Sequence, residues 1–159
     1  MEQVRAVSEG PLGFRCAACG FELWNPICEL STSALGLYDD QRFPGRCILV
    51  FSSHVESIED VAEAEVLLRF MRDLQAVSRA VRKTVGALRV NVSFLGNQEP
   101  HLHAHLIPRV EGGDPVPQRS PWAHPAKVAP LDPGEKARLR AAIGRAALDE
   151  RQRTSSLDT

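Results

Sequence analysis

Three of the chain's five histidines fall within five residues, at every second position of the segment His101-Leu-His103-Ala-His105. Side chains alternate between the faces of a β-strand, so the three imidazoles are expected on one face and the intervening apolar residues on the other, toward a core. Imidazole is a nucleophile and a metal ligand, and its ordinary pKa of about 6.5 leaves it mostly neutral at pH 7. The pattern alone fits a solvated strand face, a three-histidine metal site, or a division of structural and catalytic duties.

A phosphorus centre is a suitable target for such a row of imidazoles. A nucleophilic histidine needs an orienting partner and donors close to the charge that develops on the substrate. His105 lies two residues beyond the middle histidine, about 6.5 to 7 Å along the strand, and can donate to a phosphoryl oxygen. Asn91, on a predicted neighbouring strand, and the turn between the two strands can supply further donors.

A second group of candidate ligands lies upstream. Cys16 and Cys19 form a CxxC pair, whose spacing suits a metal or a redox couple, and His54 follows a short apolar segment. With one triad histidine they make a Cys2His2 set, which structural zinc prefers. His101 is the expected fourth ligand, because it lies at the entry to its strand. The N-terminus lacks the apolar core of a signal peptide, so a disulfide framework is not expected.

The spacing of apolar residues along the chain predicts the strands and the helix that position these residues. Segments 34–38 and 46–52 are predicted strands, and 57–85 is a predicted helix with apolar residues at three- and four-residue steps. A strand over 88–95 and the histidine strand form a predicted hairpin, with its loop over 96–100. Seven of the eleven prolines fall between Pro108 and Pro133, which predicts an irregular segment over the surface of the domain or of a partner subunit.

Length and composition bound the remaining possibilities. The 159 residues fit one domain: a loosely ordered lead over 1–15, a folded unit over 16–130, a helix over 131–150, and a disordered polar tail over 151–159. The net charge of −1 gives no electrostatic reason for binding nucleic acid or a membrane surface. Without an apolar run of membrane-spanning length or a secretion signal, the expected location is the cytoplasm.

The segment His101-Leu-His103-Ala-His105-Leu-Ile107 resembles the HφHφHφφ signature of the histidine triad (HIT) superfamily of nucleotidyl hydrolases and transferases. Segment 45–54 resembles the strand and the histidine that follows it in this family, and also a stretch of galactose-1-phosphate uridylyltransferases. Segments 95–101 and 108–122 resemble one bacterial subgroup, so the resemblance spans about 16–125. It implies an α+β fold, an antiparallel sheet with one long helix packed on it and a C-terminal helix, and a homodimer.

The resemblance also implies roles for individual residues. His103 would attack the α-phosphorus of a nucleotide and form a nucleotidyl-histidine intermediate, and His105 would contact the phosphate. Asn91 lies at about the place of a family asparagine, and Asp39 is similar to the acidic residue that binds ribose hydroxyls. Gln98 stands where the family has Ser or Thr and can still donate a hydrogen bond, and Asn97 is its neighbour in the turn. Zinc-containing members bind their structural zinc with the equivalents of Cys16, Cys19, His54 and His101.

Some residues depart from the family pattern, and other functions stay open. Many members have Gly-His before the buried strand, where this chain has Gly45-Arg46. Arg46 is expected at the surface, and the alternative is that it pairs with a phosphate or a carboxylate. Trp122 is expected either near the active site or in plain packing. The principal interpretation is hydrolysis of a nucleoside phosphoramidate or phosphoanhydride. The alternatives are transfer of UMP or AMP to a phosphate or sugar-phosphate acceptor, a nucleotide-binding module with little turnover, and a catalytic metal on the three histidines.

Overall fold

The computed structural model describes residues 13–156 as a five-stranded antiparallel sheet with two long helices. The strands are β1 Pro26–Glu29, β2 Ser33–Leu37, β3 Cys47–Phe51, β4 Arg89–Ser93 and β5 His103–Arg109, and the helices are α1 Ala64–Val85 and α2 Pro133–Ser156. The strand order is β1-β2-β3-β5-β4. The predicted α+β architecture is therefore confirmed, and the histidine strand lies inside the sheet, between β3 and the edge strand β4.

Helix α1 packs its apolar face on the sheet. Phe70, Val77 and Val81 on that face are fully buried, and each buried side chain of this size contributes about 1.5–3 kcal/mol of hydrophobic stabilisation. The helix ends at Gly86, whose φ of 66° is the left-handed conformation that glycine adopts at low cost. It begins at Ala64 rather than at the predicted Ser57. The Ser57 and Asp60 side chains cap a short 3-10 helix, Ile58–Asp60, instead, and the backbone is extended at Val61 and Glu63 before α1 starts.

The sheet separates two environments. Leu102, Ala104 and Leu106 are buried against α1, as the alternation predicts, and the three histidines lie on the opposite face. That face is covered by segment 13–25, which carries the CxxC and packs Phe21 and Leu23 over Ile48 and Val50, among other residues. Gly36 of β2 permits the approach, since a Cβ there would lie 2.6 Å from the carbonyl oxygen of Trp24.

Strand β1 was not expected from the sequence. The glycine, proline and Ser-Thr-Ser residues of segment 16–34 argue against a long element there, and the strand Pro26–Glu29 that pairs with β2 is only four residues long. The strand lies at the sheet edge and Pro26 is its first residue, a position where a missing N–H is tolerated. Cys28 of β1 and Cys47 of β3 are free thiols on the α1 side, and burial raises the pKa of Cys28 to about 12. Both therefore behave as small apolar side chains.

Both ends of the predicted domain division need correction. Residues 1–12 of the expected lead lie outside the described residues, but Phe14 and Arg15 belong to the fold, with Arg15 in a β-bridge to Glu22. The expected helix over 131–150 continues to Ser156, so a disordered tail is wrong for 151–156, while 157–159 lie outside the described residues. The extra turns form because Arg151 reaches the buried Asp73 of α1 at 2.7 Å. Within 13–156, no helix combines the length and the apolar content needed to cross a membrane.

The proline-rich segment 110–132, which we call the strap, lies against the domain as an irregular chain with one short 3-10 helix, Pro121–Ala123. Arg109 at the end of β5 holds it by donating to the carboxylate of Asp114 and to the carbonyl oxygens of Val116 and Arg119. The Gln41 N–H donates to the carbonyl oxygen of Ala129 at 3.1 Å. The strap therefore passes beside the turn that precedes β3 and ends where α2 begins.

Candidate active site and metal cluster

The three histidines of the triad are buried and differ in their hydrogen-bond partners. His101 is fully buried, and His103 and His105 are 6% and 8% exposed. The Nδ1 of His103 lies 2.6 Å from the carbonyl oxygen of His101, and the Nε2 of His101 lies 2.7 Å from that of Phe51. A carbonyl oxygen only accepts, so each of these ring nitrogens carries a proton. His103 in its neutral form therefore has its lone pair on Nε2, and His101 has its lone pair on Nδ1.

Cys16, Cys19, His54 and His101 form a cluster whose ligand atoms all lie within 4.8 Å of one another. The Sγ of Cys16 is 3.6 Å from Nδ1 of His54, and the Sγ of Cys19 is 3.5 Å from Nδ1 of His101. Zinc bonds of about 2.3 Å to sulfur and about 2.05 Å to nitrogen require a sulfur–nitrogen edge of about 3.6 Å in a tetrahedron. The lone pair of His101 also faces the cluster, so the four predicted ligands fit a zinc ion in number, type and spacing.

The ring of Phe21 covers the start of the histidine row. It stacks on His101 at a centroid distance of 5.4 Å and on His103 at 5.6 Å, with interplanar angles of 30° and 29°. On another side of His103, a cavity of about 250 Å³ opens beside the 3-10 helix that precedes α1. It is bordered by His101 and His103 together with Glu56, Glu59, Phe94 and Leu95, among other residues. The middle histidine therefore has an apolar cover and an open space next to it.

Arg46 is a site residue that the sequence interpretation placed at the surface. It is only 4% exposed, and its Nη2 lies 3.3 Å from Nδ1 of His105. Its guanidinium carbon lies 4.1 Å from the ring centroid of Tyr38 and 5.2 Å from that of Trp122, and its Nη1 donates to Asp40. The expectation was wrong because the cation is covered by aromatic rings and paired with a carboxylate, which offset the cost of burying it.

Aromatic side chains line the His105 end of the row. Tyr38 meets the His105 ring edge-on at 5.4 Å, and Trp122 of the strap meets it at 6.2 Å. Trp24 lies next to Tyr38 at 6.3 Å. The chain's two tryptophans thus flank this end, and each is about half exposed, at 47% and 50%. Large exposed aromatic rings beside polar groups are typical of ligand-binding surfaces.

The other predicted site residues are less close to the histidines. Asn91 shares the histidine face, but it pairs with Ile107, and its side-chain oxygen accepts a hydrogen bond from Arg109 at 2.8 Å. Asp39 is exposed and accepts from the Nδ2 of Asn25 at 2.7 Å. Asn97 and Gln98 lie in the exposed connection between β4 and β5. Their roles toward a substrate stay predictions.

The HIT domain model matches residues 27–112 of the chain. A histidine triad protein from Bradyrhizobium japonicum is 27% identical, with a TM-score of 0.69 over 77% of this chain and 89% of that one. A histidine triad protein from Marinobacter aquaeolei is 26% identical, with a TM-score of 0.67 over 76% and 86%. A zinc-bound histidine triad family protein from Mycobacterium smegmatis shares the fold at 21% identity, with a TM-score of 0.53 over 78% and 85%. No curated protein matches the chain significantly.

Proposed function

Because the chain belongs to the HIT-domain family, whose members are in general nucleotide-binding hydrolases or transferases, we propose that it is a nucleotidyl hydrolase with His103 as the nucleophile. The substrate is a nucleoside phosphoramidate or phosphoanhydride, and the reaction takes place at its α-phosphorus. The observation that carries the proposal is the hydrogen bond from Nδ1 of His103 to the carbonyl oxygen of His101. It leaves the lone pair on Nε2, the nitrogen available for attack.

In the first step, Nε2 of His103 forms a bond to the α-phosphorus, and the bond from phosphorus to the leaving-group nitrogen or oxygen breaks. The leaving group departs with the electron pair of that bond and takes a proton from solvent water. Negative charge is held on the phosphoryl oxygens, and a donor from Nε2 of His105 stabilises it. Fixed donors at the position of developing charge are a large contribution to catalysis in such sites.

In the second step, water attacks the phosphorus of the nucleotidyl-histidine. The bond between phosphorus and Nε2 breaks, its electron pair returns to His103, and a nucleoside monophosphate is released. Splitting the reaction in this way replaces one difficult displacement by two easier ones. The cavity of about 250 Å³ beside His103 offers space for the leaving group and afterwards for water.

The nucleoside is assigned to the His105 end of the row. Trp24 and Tyr38 present aromatic surface there, and the exposed carboxylate of Asp39 accepts a hydrogen bond from Asn25, the residue that follows Trp24. In this arrangement the base stacks on Trp24, and Asp39 accepts hydrogen bonds from ribose hydroxyls through Oδ2, since Asn25 and Lys136 both contact its Oδ1. Gln98, Asn97 and Asn91 are kept as additional donors to the substrate, since each carries a side-chain amide.

Zinc in the Cys16, Cys19, His54 and His101 cluster has a structural role in this proposal. The four protein ligands complete a tetrahedral shell, so a bound zinc ion supplies structural cross-linking and no open position for substrate. It ties the segment that covers the histidine face to the end of β3 and to the triad. Its removal is expected to loosen Phe21 over His103.

The homodimer is assigned to the edge strand β4. This strand has unpaired backbone groups on one side, and the exposed apolar side chains near it are Leu88, Val92, Phe94 and Leu95. Edge strands with apolar side chains are templates for pairing with a second chain. Light scattering should give the mass of two chains, and Val92→Lys should shift it toward one. The cytoplasmic location, the absence of nucleic-acid binding and the similarity to galactose-1-phosphate uridylyltransferases stay predictions.

The deciding experiment measures nucleoside monophosphate release from adenosine and guanosine phosphoramidates, dinucleoside polyphosphates and UDP-glucose. His103→Gln should abolish release, while His124→Gln, a change of the histidine outside the row and the cluster, should leave it unchanged. Wild-type protein quenched in alkaline denaturant, in which a bond between phosphorus and histidine nitrogen survives, should carry nucleotide on His103 by mass spectrometry. Release that survives in His103→Gln would contradict the proposal.

The same panel separates the alternatives. A transferase would release little monophosphate until a phosphate or sugar-phosphate acceptor is added, and would then form a new nucleotide product. A binding module would bind nucleotide in the wild type and in His103→Gln with similar Kd and release nothing. A catalytic metal on the triad would make release by the loaded protein sensitive to His105→Gln together with a loss of bound metal.

A further inference from the structure

Arg46 is a buried cation in contact with a histidine, an arrangement that needs a physical explanation. Burial lowers the pKa of Arg46, and Tyr38 and Asp40 partly offset this effect. An arginine nevertheless stays charged at any pH at which the protein is folded. The contact with Nδ1 of His105 is therefore between a permanent cation and an imidazole that is itself able to become cationic.

The direction of this hydrogen bond is fixed by the donor set of arginine. A guanidinium has only N–H donors and no acceptor, so Nδ1 of His105 must accept through its lone pair. The proton of the neutral ring then sits on Nε2. A carboxylate or a carbonyl in the place of Arg46 would require a proton on Nδ1, and a second histidine would permit one, but an arginine does not.

We propose that Arg46 is a positioning residue that holds His105 as the neutral tautomer protonated at Nε2. This inference rests on the proposed function. His103 and His105 then present opposite groups to the substrate: His103 a lone pair for the phosphorus, and His105 an N–H donor for a phosphoryl oxygen. The two tautomers are set by groups that do not titrate near neutral pH, a backbone carbonyl for His103 and a guanidinium for His105.

The surroundings of His105 support this assignment. Burial, the charge of Arg46 and the neighbouring His103 lower the pKa of His105 to about 4, in that order of importance. The aromatic rings of Tyr38 and Trp122 lie at the faces of the guanidinium, and Asp40 binds its other end, so Arg46 has little freedom to leave Nδ1. Asp40 is in turn bound by Arg42, which donates to both of its carboxylate oxygens.

The strap also helps to hold Arg46 in place. Trp122 contacts both His105 and Arg46, and the Nη1 of Arg42 donates to the carbonyl oxygen of Ala126 at 2.9 Å. The segment after the triad therefore closes one side of the cage around Arg46. It contributes to the site through packing on a cation rather than through a group that touches the phosphate.

The test reads the tautomer directly and does not depend on turnover. Long-range proton–nitrogen correlation spectra of 15N-labelled protein at pH 7.5 distinguish a proton on Nε2 from one on Nδ1, and His105→Gln assigns the signals by their loss. Wild type and Arg46→Lys should show His105 protonated at Nε2, since lysine also only donates. Arg46→Met should show a mixture of tautomers.

Kinetics then connect the tautomer to the reaction. Arg46→Met should lower kcat about 100-fold, the typical effect of losing one donor to developing charge, with a smaller change in KM. Arg46→Lys should have a higher kcat than Arg46→Met, because lysine can still donate to Nδ1. An Nε2 proton that persists in Arg46→Met, or an unchanged kcat in that variant, would overturn the proposal.

The experiment also decides the proposal if Arg46→Met does not fold or if the wild type is inactive. If Arg46→Met does not fold, Arg46→Lys decides alone, because His105 protonated at Nδ1 in a folded lysine variant overturns the proposal and an Nε2 proton supports it. If wild type releases no nucleotide from any substrate while its His105 is protonated at Nε2 and that of Arg46→Met is mixed, the tautomer assignment stands and the proposed function fails.

Discussion

Replacing Asp73 with Asn is the sharpest test of how the two helices are held to the sheet. Asp73 of α1 is fully buried and accepts from the hydroxyls of Ser31, Thr32 and Ser33 and from the backbone N–H of Thr32, at 2.8 to 3.3 Å. Its Oδ1 also binds Nε of Arg151 on α2 at 2.7 Å. One carboxylate therefore joins α1, the β1–β2 turn and the end of α2.

The expected cost follows from which bonds an amide can keep. In Asp73→Asn the amide oxygen can still accept on one side, but the amide nitrogen faces donors and cannot accept, and the ion pair is lost. Breaking a buried ion pair by removing one partner costs about 3–5 kcal/mol. Arg151 is 17% exposed and can reach water, which favours the lower end of that range. For a chain of this size, the melting temperature should fall by about 6–15 °C.

The assay is thermal and urea unfolding of wild type, Asp73→Asn and the matched control Asp149→Asn, all at one protein concentration because dimerisation would shift apparent stability. Asp149 is an exposed carboxylate on α2, so its change should stay within about 0.5 kcal/mol of wild type. Arg151→Met completes a double-mutant cycle. If Asp73→Asn also unfolds within about 0.5 kcal/mol of wild type, the carboxylate does not hold the helices and the reasoning is wrong.

Three other predictions concern the site. The pKa of His105 is about 6.5 in the unfolded chain and about 4 in the folded chain, so the unfolded chain binds a proton first as the pH falls. The free energy of unfolding should therefore fall by about 2 kcal/mol between pH 7 and pH 5. His105→Gln should lack this part of the decrease. Protein purified from zinc-supplemented cells should contain zinc. Cys16→Ser should lose this zinc, and Cys28→Ala, which changes a core thiol, should retain it. Equal zinc contents in the two variants would exclude the CxxC as a ligand pair. Trp24→Ala should raise KM for a nucleotide about tenfold with kcat little changed, and Trp24→Phe should restore most of the affinity. An unchanged KM in Trp24→Ala would contradict the assignment of the base to Trp24.

The sequence predicted those parts of the fold that depend on local periodicity. The two-residue period of the triad strand correctly separates the histidines from Leu102, Ala104 and Leu106, and the helical period of α1 correctly identifies its buried face. The Cys2His2 set could be proposed because zinc restricts ligand types so strongly, and the structure brings the four candidate ligand atoms within 4.8 Å of one another.

The errors arose where partners distant in sequence decide the outcome. Arg46 was placed at the surface because nothing next to it in the chain indicates the aromatic rings of Tyr38 and Trp122 that cover it. The polar end of α2 was read as a disordered tail because Arg151 finds its carboxylate 78 residues away. Local propensity carries no information about such pairs.

His101 has three separate attachments, through Nδ1 to the cysteine cluster, through Nε2 to Phe51, and through its carbonyl oxygen to His103. His101 therefore connects the cysteine cluster directly to the residue that orients the His103 ring. If the proposed zinc binds there, its removal should disturb the position of the His103 ring through His101. A variant designed without the cysteines would need a new hydrogen-bond partner for Nδ1 of His101, because Cys19 contacts that atom.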